Sequence, residues 1–434
     1  MQVQQILRDG PMTRYQMIVV AMCVMINVIN GFDVLALAFV SPALARTWSL
    51  SSERLGLLLS SGLLGISIGA LFFSFLADVV GRRPVILASL AMMSLGMAAS
   101  GLATTPDILA LSRVLTGLGI GGMNASGGAL AMEYSSDRRK TLAVSLVVIG
   151  FPFGATAGGA VALWLLEEFG WQAVFWFGSG ASTLLFPVLL VWLPESPSIL
   201  LKKRTSKALS QLNVYMLRMN LGPLADVPTS GQAHRQMDAY ALLRDYNSVT
   251  VKLALAYAAF MFAFYFMINW ATKLVTEMGL PDRSGVTASI IINLFGIAGG
   301  LCVGLASGRM KLSWLVAAVL CVMWATIACF GSLPPTTGAL YMASAVLGFL
   351  MWAGSALAYS VTALAYPAEI RASGIGLIVT IGRIGSILGS YTAGLLLGFG
   401  VSREMTTFCL ASPVIVAAIL FAVVARGKVP GARA

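Results

Sequence analysis

Charge is what this chain has least of. Of its 434 residues only 10% are Asp, Glu, Lys or Arg, against 58% that are hydrophobic. Soluble domains carry about 25% charged residues, so an ordinary globular enzyme is excluded. Histidine is almost missing too. The single one, His234, lies in a polar stretch with no second His or Cys beside it, which excludes a His-based metal site. The five cysteines, Cys23, Cys302, Cys321, Cys329 and Cys409, all fall in apolar runs and offer neither a disulfide framework nor metal-ligand spacing. Acids number 17 against 28 bases, for a net charge of +11. That excess is scattered through short loops rather than gathered into the patch or stripe that nucleic acid requires. No cleavable leader is evident, because the first apolar run is too long and lacks a small-residue cleavage pattern.

What the chain has is hydrophobic length. Apolar runs long enough to cross a bilayer recur twelve times, over 15–40, 54–77, 84–103, 107–132, 141–166, 171–193, 250–275, 284–307, 312–331, 338–364, 373–398 and 403–425. With the N-terminus placed in the cytoplasm, 21 of the 28 basic residues lie on the cytoplasmic side. Four, Arg46, Arg54, Arg283 and Arg403, lie opposite, and Arg113, Lys273 and Arg383 lie within spans. That bias predicts both termini inside. One polar stretch of about 55 residues splits the runs six and six. The expected organisation is therefore a six-helix half over 1–193, a cytoplasmic loop over 194–248 and a second six-helix half over 249–434. An all-α integral membrane chain of twelve spans split in the middle has the layout of a transporter built from two similar halves, in which the substrate site lies near the midplane between them. Many of the 45 glycines occur as Gly-Gly or small-x-x-small, which permits close helix crossings.

Inside the first run sits Asn27-Val28-Ile29-Asn30-Gly31-Phe32-Asp33. A charge at that depth costs roughly 2.5–3.5 kcal/mol on insertion scales, so Asp33 must face protein or a water-filled cavity. At helical spacing Asn27, Asn30 and Asp33 share one sector, a polar stripe on an apolar rod. Asp33 is also the only carboxylate well inside any span, whereas three cations, Arg113, Lys273 and Arg383, are buried with it. Buried cations need a partner, either Asp33 or a bound anion, and their excess favours an anionic substrate. A planar Arg holds a carboxylate by two hydrogen bonds, which makes Arg383 the first choice and Lys273 the second. Lys273 also lies near enough to the outer end of its span to snorkel. Asp33 is assigned the transported proton, with Arg113 setting its balance and Asn124, on nearly the same face of Arg113's helix, offering a hydrogen bond. Trp270, Trp352 and Tyr359 are the aromatic candidates to stack on a ring. Asp78, Arg82, Arg83, Glu133, Glu369 and Arg371, all at cytoplasmic span ends, are the candidate gate.

Several motifs resemble the major facilitator superfamily. They are Leu76-Ala77-Asp78-Val79-Val80-Gly81-Arg82-Arg83-Pro84 between spans two and three, and Arg113-Val114-Leu115-Thr116-Gly117-Leu118-Gly119-Ile120-Gly121 in span four. Pro194-Glu195-Ser196-Pro197 closes span six, and Tyr366-Pro367-Ala368-Glu369-Ile370-Arg371-Ala372-Ser373-Gly374 closes span ten. Asp78 reads as a helix cap able to pair with Arg82 or Arg83, latching the cytoplasmic side. Asn30-Gly31-Phe32-Asp33 with Ala38-Phe39-Val40-Ser41-Pro42 looks like the first-span motif of the aromatic acid/proton symporters, with Asn30 where that family usually has a first carboxylate. Gly382-Arg383-Ile384-Gly385-Ser386 resembles its eleventh span, and Asn269-Trp270 also fits. The resemblance implies the twelve-helix major facilitator fold in a bacterial inner (plasma) membrane, as a monomer. It implies import of a small organic acid, a benzoate- or hydroxybenzoate-like carboxylate, coupled to protons, without a cofactor, a metal or nucleic acid. Drug or metabolite efflux by antiport, carriage of nicotinate or another organic anion, and a non-transporting sensor remain open. An integral-membrane enzyme is the weakest option, since no nucleophile–base set is present.

Overall fold

A backbone inside hydrocarbon must satisfy its own hydrogen bonds, so apolar runs of this length become helices. The computed structural model describes residues 12–203, 205–219, 246–306, 310–367 and 370–427, excepting the side chains of 304, 305 and 372. It contains twelve helices long and apolar enough to span a membrane. The first six are α1 (Arg14–Thr47), α2 (Ser52–Val79), α3 (Arg82–Gly101), α4 (Pro106–Glu133), α5 (Lys140–Glu168) and α6 (Trp171–Trp192). Two short helices follow, α7 (Pro197–Lys203) and α8 (Ser206–Arg218). Then come α9 (Asn247–Glu277), α10 (Asp282–Ala306), α11 (Leu312–Phe330), α12 (Thr337–Leu364) and α13 (Arg371–Gly398). The last span is broken at Ser412-Pro413 into α14 (Arg403–Ala411) and α15 (Pro413–Arg426). Proline removes a backbone donor and starts a helix readily, so one apolar run becomes two helices in line.

Local sequence sets the ends. Thr13 and Gln16 form a capping box at α1, and Thr105 accepts from the Ile108 amide with Pro106 opening α4. Gly170, Gly279 and Gly400 take left-handed φ values of 81°, 86° and 78° at tight turns.

Glycine then decides which helices cross closely. A Cβ on Gly65 or Gly69 of α2 would sit 2.2 Å from a carbonyl oxygen of α4, and one on Gly154 of α5 would sit 1.8 Å from that of Val28 in α1. The second half repeats this six spans later. A Cβ on Gly299 or Gly348 would strike across the α10–α12 crossing, and one on Gly385 or Gly389 would strike α9 from α13, all within 2.1 Å of a carbonyl oxygen. The two sets of six therefore share one packing scheme. α3 with α6, and α11 with α14–α15, pack to the side of each set.

We call the face where α1 begins and α15 ends the near face, and the opposite one the far face. The halves meet through α2 with α13, α5 with α10 and α1 with α9. A Cβ on Gly56, in the far-face part of α2, would lie 3.0 Å from the Gly394 Cα of α13. Phe151 meets Trp352 near the middle, with ring centroids 5.7 Å apart.

Candidate transport site

Asp33 stands at the centre of α1 and is 0% exposed. Its backbone carbonyl accepts a 2.5 Å hydrogen bond from Nη2 of Arg113 on α4. Arg113 places Nη1 2.9 Å from the Met97 sulfur of α3 and its guanidinium carbon 5.7 Å from the Phe175 ring centroid of α6. Neither carboxylate oxygen of Asp33, nor Nε of Arg113, has a hydrogen-bond partner. Oδ1 faces Gly178 of α6, where a Cβ would come within 2.6 Å of it and 2.3 Å of the Met97 methyl. Arg113 thus holds Asp33 by its main chain and leaves the carboxyl free in a pocket of four helices.

The polar stripe of α1 fans out over different neighbours instead of facing one cavity. Asn27 donates to the Val147 carbonyl of α5 at 2.5 Å, and Asn30 donates to Asn124 Oδ1 of α4 at 3.2 Å. Asn30 is fully buried with its own Oδ1 unpartnered, while Asn124 is exposed. Sixty degrees of turn between such positions, harmless in a sequence plot, is enough to change the neighbour.

In the second half Arg383 is half-buried in the middle of α13, and it, Tyr265 and Tyr359 all lie within electrostatic reach of Tyr257. Tyr359 is 52% exposed, so its ring stands open. Trp270 does not: it is 0% exposed, and its indole nitrogen donates to the Ser390 carbonyl at 2.9 Å, while Asn269 donates to the Ser390 hydroxyl at 2.6 Å. These two residues brace α9 against α13, which corrects the expectation that Trp270 stacks on ligand. Trp352 is different again. Phe151 and Phe264 flank it at 5.7 and 5.6 Å, and its buried indole N–H has no partner. Lys273 pairs with Glu277 at 3.5 Å, one turn on toward the far end of α9. Its charge is met there rather than by Asp33, as an i,i+4 pair on a helix allows.

At the near face the expected latch takes another form. Asp78 is exposed and pairs with neither Arg82 nor Arg83; among the described residues it has no ion pair. Arg82 instead meets Glu133 of α4 at 2.9 Å, and Glu133 also accepts from the Ser196 hydroxyl. The hub is Glu195, outside the sequence-derived set. Its Oε1 accepts from the backbone amides of Arg82, Arg83 and Ser196 at 2.8, 3.2 and 2.8 Å, capping α3 at the dipole end that favours an anion. Gly81, at φ 126°, is required there because a Cβ would lie 2.2 Å from Glu195 Oε2. Tyr134 donates to the Glu195 carbonyl at 2.8 Å, and burial holds its phenol well above the ordinary range, so it stays a donor. Arg83 donates to the Leu190 carbonyl and Arg371 to the Tyr366 carbonyl, each within its own half. Glu369 lies outside the described residues. Two ion pairs join the halves at the far face: Arg46 holds Asp282 through both carboxylate oxygens, and Arg283 reaches Glu167 at 3.9 Å. Sequence reading counted Arg46 and Arg283 only as topology charges.

Residues 23–390 match the family described as Major Facilitator Superfamily. The chain belongs to this superfamily. Its similar relatives are transporters rather than enzymes. A gallate transporter of Pseudomonas putida is 28% identical over 96% of this chain and 93% of its own. The 4-hydroxybenzoate transporter PcaK of the same organism is 28% identical over 100% and 97%. The 3-(3-hydroxy-phenyl)propionate transporter of Escherichia coli (strain K12) is 26% identical over 93% and 92%. Among solved structures, a bacterial homologue of the human lysosomal transporter Spinster superposes with a TM-score of 0.74 at 16% identity, covering 96% of this chain and 98% of that one. A D-xylose–proton symporter does so with 0.70 at 16%, covering 93% and 96%. The superfamily's twelve-helix fold and its transport role thus apply to the whole chain. Among the described residues, Arg46–Asp282 and Arg283–Glu167 tie the halves at the far face, whereas the near-face bonds of Arg82, Arg83 and Arg371 each stay within one half.

Proposed function

We propose that this transporter imports a small aromatic carboxylate together with a proton. The observation that carries the reading is the Asp33 carboxyl: fully buried, beside a guanidinium, with neither oxygen hydrogen-bonded. A proton can bind or leave there without breaking a hydrogen bond, yet it changes a buried charge, and that is what coupling needs. Arg383 supplies the cation for the substrate carboxylate, with Tyr359, Tyr265 and Trp352 as aromatic surface and Asn30 with Asn124 as hydrogen-bonding groups across the midplane. The relatives named for gallate, 4-hydroxybenzoate and a hydroxyphenylpropionate support this substrate class. Basic residues concentrated at the near face make it the cytoplasmic one in an inner membrane, so the structure is read as inward-facing. Glu195, Arg82 and Glu133 then hold the first half as a rigid unit while Arg46–Asp282 opens and closes the outer side.

The test is uptake of radiolabelled benzoates, hydroxybenzoates, phenylpropionates and nicotinate into proteoliposomes under an inward proton gradient. Accumulation of an aromatic acid that collapses on adding an uncoupler is the expected result. Accumulation of nicotinate alone would replace the substrate class, and proton-driven flux only in the opposite direction would replace import with efflux.

A further inference from the structure

A cavity of about 470 Å3 opens at the near face, between the start of α3, the end of α6 and the α7–α8 strap. We infer that it binds the phosphate of an anionic phospholipid from the near-face leaflet. Three cations line it: Arg83 from α3, Lys203 from the end of α7 and Lys207 from the start of α8. Its one acid, Glu195, has an oxygen already occupied by three backbone amides. No carboxylate pairs with the three cations among the described residues. Lys203 reaches the Val80 carbonyl at 2.7 Å and Arg83 the Leu190 carbonyl, contacts that aim both heads without neutralising them. Five donors on Arg and three on each Lys leave most unspent, and the Nε of Arg83 is buried without a partner. That is the chemistry of a phosphate cradle.

The walls decide between a lipid and a soluble phosphate. Leu87 and Leu190 line the cavity, and the α6 end beside it carries Leu190, Val191 and Trp192 at 47%, 69% and 52% exposure. Bare apolar side chains ending in a Trp mark a helix end at the lipid interface. An amphiphile uses both surfaces, with its chain along α6 and its phosphate among the cations. The strap that carries Lys203 and Lys207 is itself fixed. Leu212 and Met216 of α8 are buried, and Tyr215 stacks on Tyr15 of α1 with centroids 6.4 Å apart. The cradle is therefore preformed, and an occupied site would tie the strap to α3 and α6.

Native mass spectrometry of the full-length transporter in detergent tests this, titrating phosphatidylglycerol against phosphatidylcholine of the same chains. Wild type is expected to retain phosphatidylglycerol in preference. The double variant K203Q/K207Q should lose about thirtyfold in apparent affinity, on the scale of two basic residues near an anionic surface, while R138Q, at an exposed Arg in the turn between α4 and α5, should not. Equal thermal unfolding of all three proteins without lipid establishes that the loss is not one of folding. Equal retention of both lipids by wild type, or equal affinity in K203Q/K207Q, overturns the site. Glycerol 3-phosphate competing as well as phosphatidylglycerol overturns the lipid as its source.

Discussion

In the first half the polar groups at the middle of the bundle are a carboxyl and a guanidinium in one closed pocket. In the second they are a guanidinium among tyrosines, one of which stands open. The acids described in the second half, Glu277, Asp282 and Glu404, all sit at far-face helix ends. The same packing scheme, repeated six spans later, thus buries different chemistry. Arg113 has Asp33 beside it and is held on its carbonyl, so its charge is met from within the protein. Arg383 has no such acid among the described residues, and its charge is left to water or a bound anion. A guanidinium left without an internal partner at such depth is costly, and an anionic substrate offsets that cost. On the proposed reading the two halves divide two tasks, a proton in one and an anion in the other, which rocking of the halves would couple.

The largest expected effect breaks this division at Asp33. Asp33→Asn should abolish accumulation driven by a proton gradient while leaving substrate counterflow, which needs no net proton movement. Loss of both in a well-folded variant would mean that Asp33 binds substrate or supports structure instead of carrying the proton. Next comes Arg383→Gln. Removing charge-assisted hydrogen bonds worth about 1.5–3 kcal/mol should raise the substrate KM about 10- to 100-fold. Arg383→Lys should recover part of it, because the charge stays and the fork geometry does not. An unchanged KM would move the anion site elsewhere in the second half.

Much of this was legible in the sequence, for a physical reason. Hydrocarbon leaves the backbone one choice, so run length alone gave twelve spans, though it stopped the first at 40 where the helix runs on to Thr47 and did not show the break at Ser412-Pro413. Asp33 with Arg113, and Asn30 with Asn124, could be picked out because so few polar groups lie inside the first half's spans. Side-chain direction was harder. Lys273 had Glu277 four residues on, a local pair visible in sequence, yet its depth suggested a site. Trp270 gave no sign that Ser390, 120 residues away, would take its N–H. The Glu195 cap and the Arg46–Asp282 bond depend on which helix ends meet, and no periodicity encodes that.

A smaller change sharpens the claim that the Asp33 pocket is closed and closely fitted. Gly178→Ala puts a methyl within 2.6 Å of Asp33 Oδ1 and 2.3 Å of the Met97 methyl. Overpacking of this kind costs about 1–3 kcal/mol, so the midpoint of thermal unfolding should fall and proton-driven uptake should drop with it. Gly180→Ala is the control, since its Cβ meets nothing within 4 Å. Two variants of equal stability would show that the carboxyl has more room than four packed helices leave it.

The smallest effect belongs to the far-face pair, because Arg46 is exposed and Asp282 only half-buried, and such solvent-facing pairs contribute about 0.2–1 kcal/mol. Arg46→Gln should therefore shift the balance between the two access states by at most about fivefold, away from the near-open one. The shift can be read from a cysteine introduced at Gly128, one turn nearer the near face than exposed Asn124 on α4, where a Cβ meets nothing within 4 Å. In a background without other cysteines, a membrane-impermeant thiol reagent applied to the near side should label Gly128→Cys more slowly when Arg46 is Gln. Swapping the charges, with Arg46→Asp and Asp282→Arg together, should restore the rate. Two equal single-variant rates would leave the helix contacts at Gly56 and Gly394 as what holds the far side shut, and the ion pair as a surface contact without weight in the cycle.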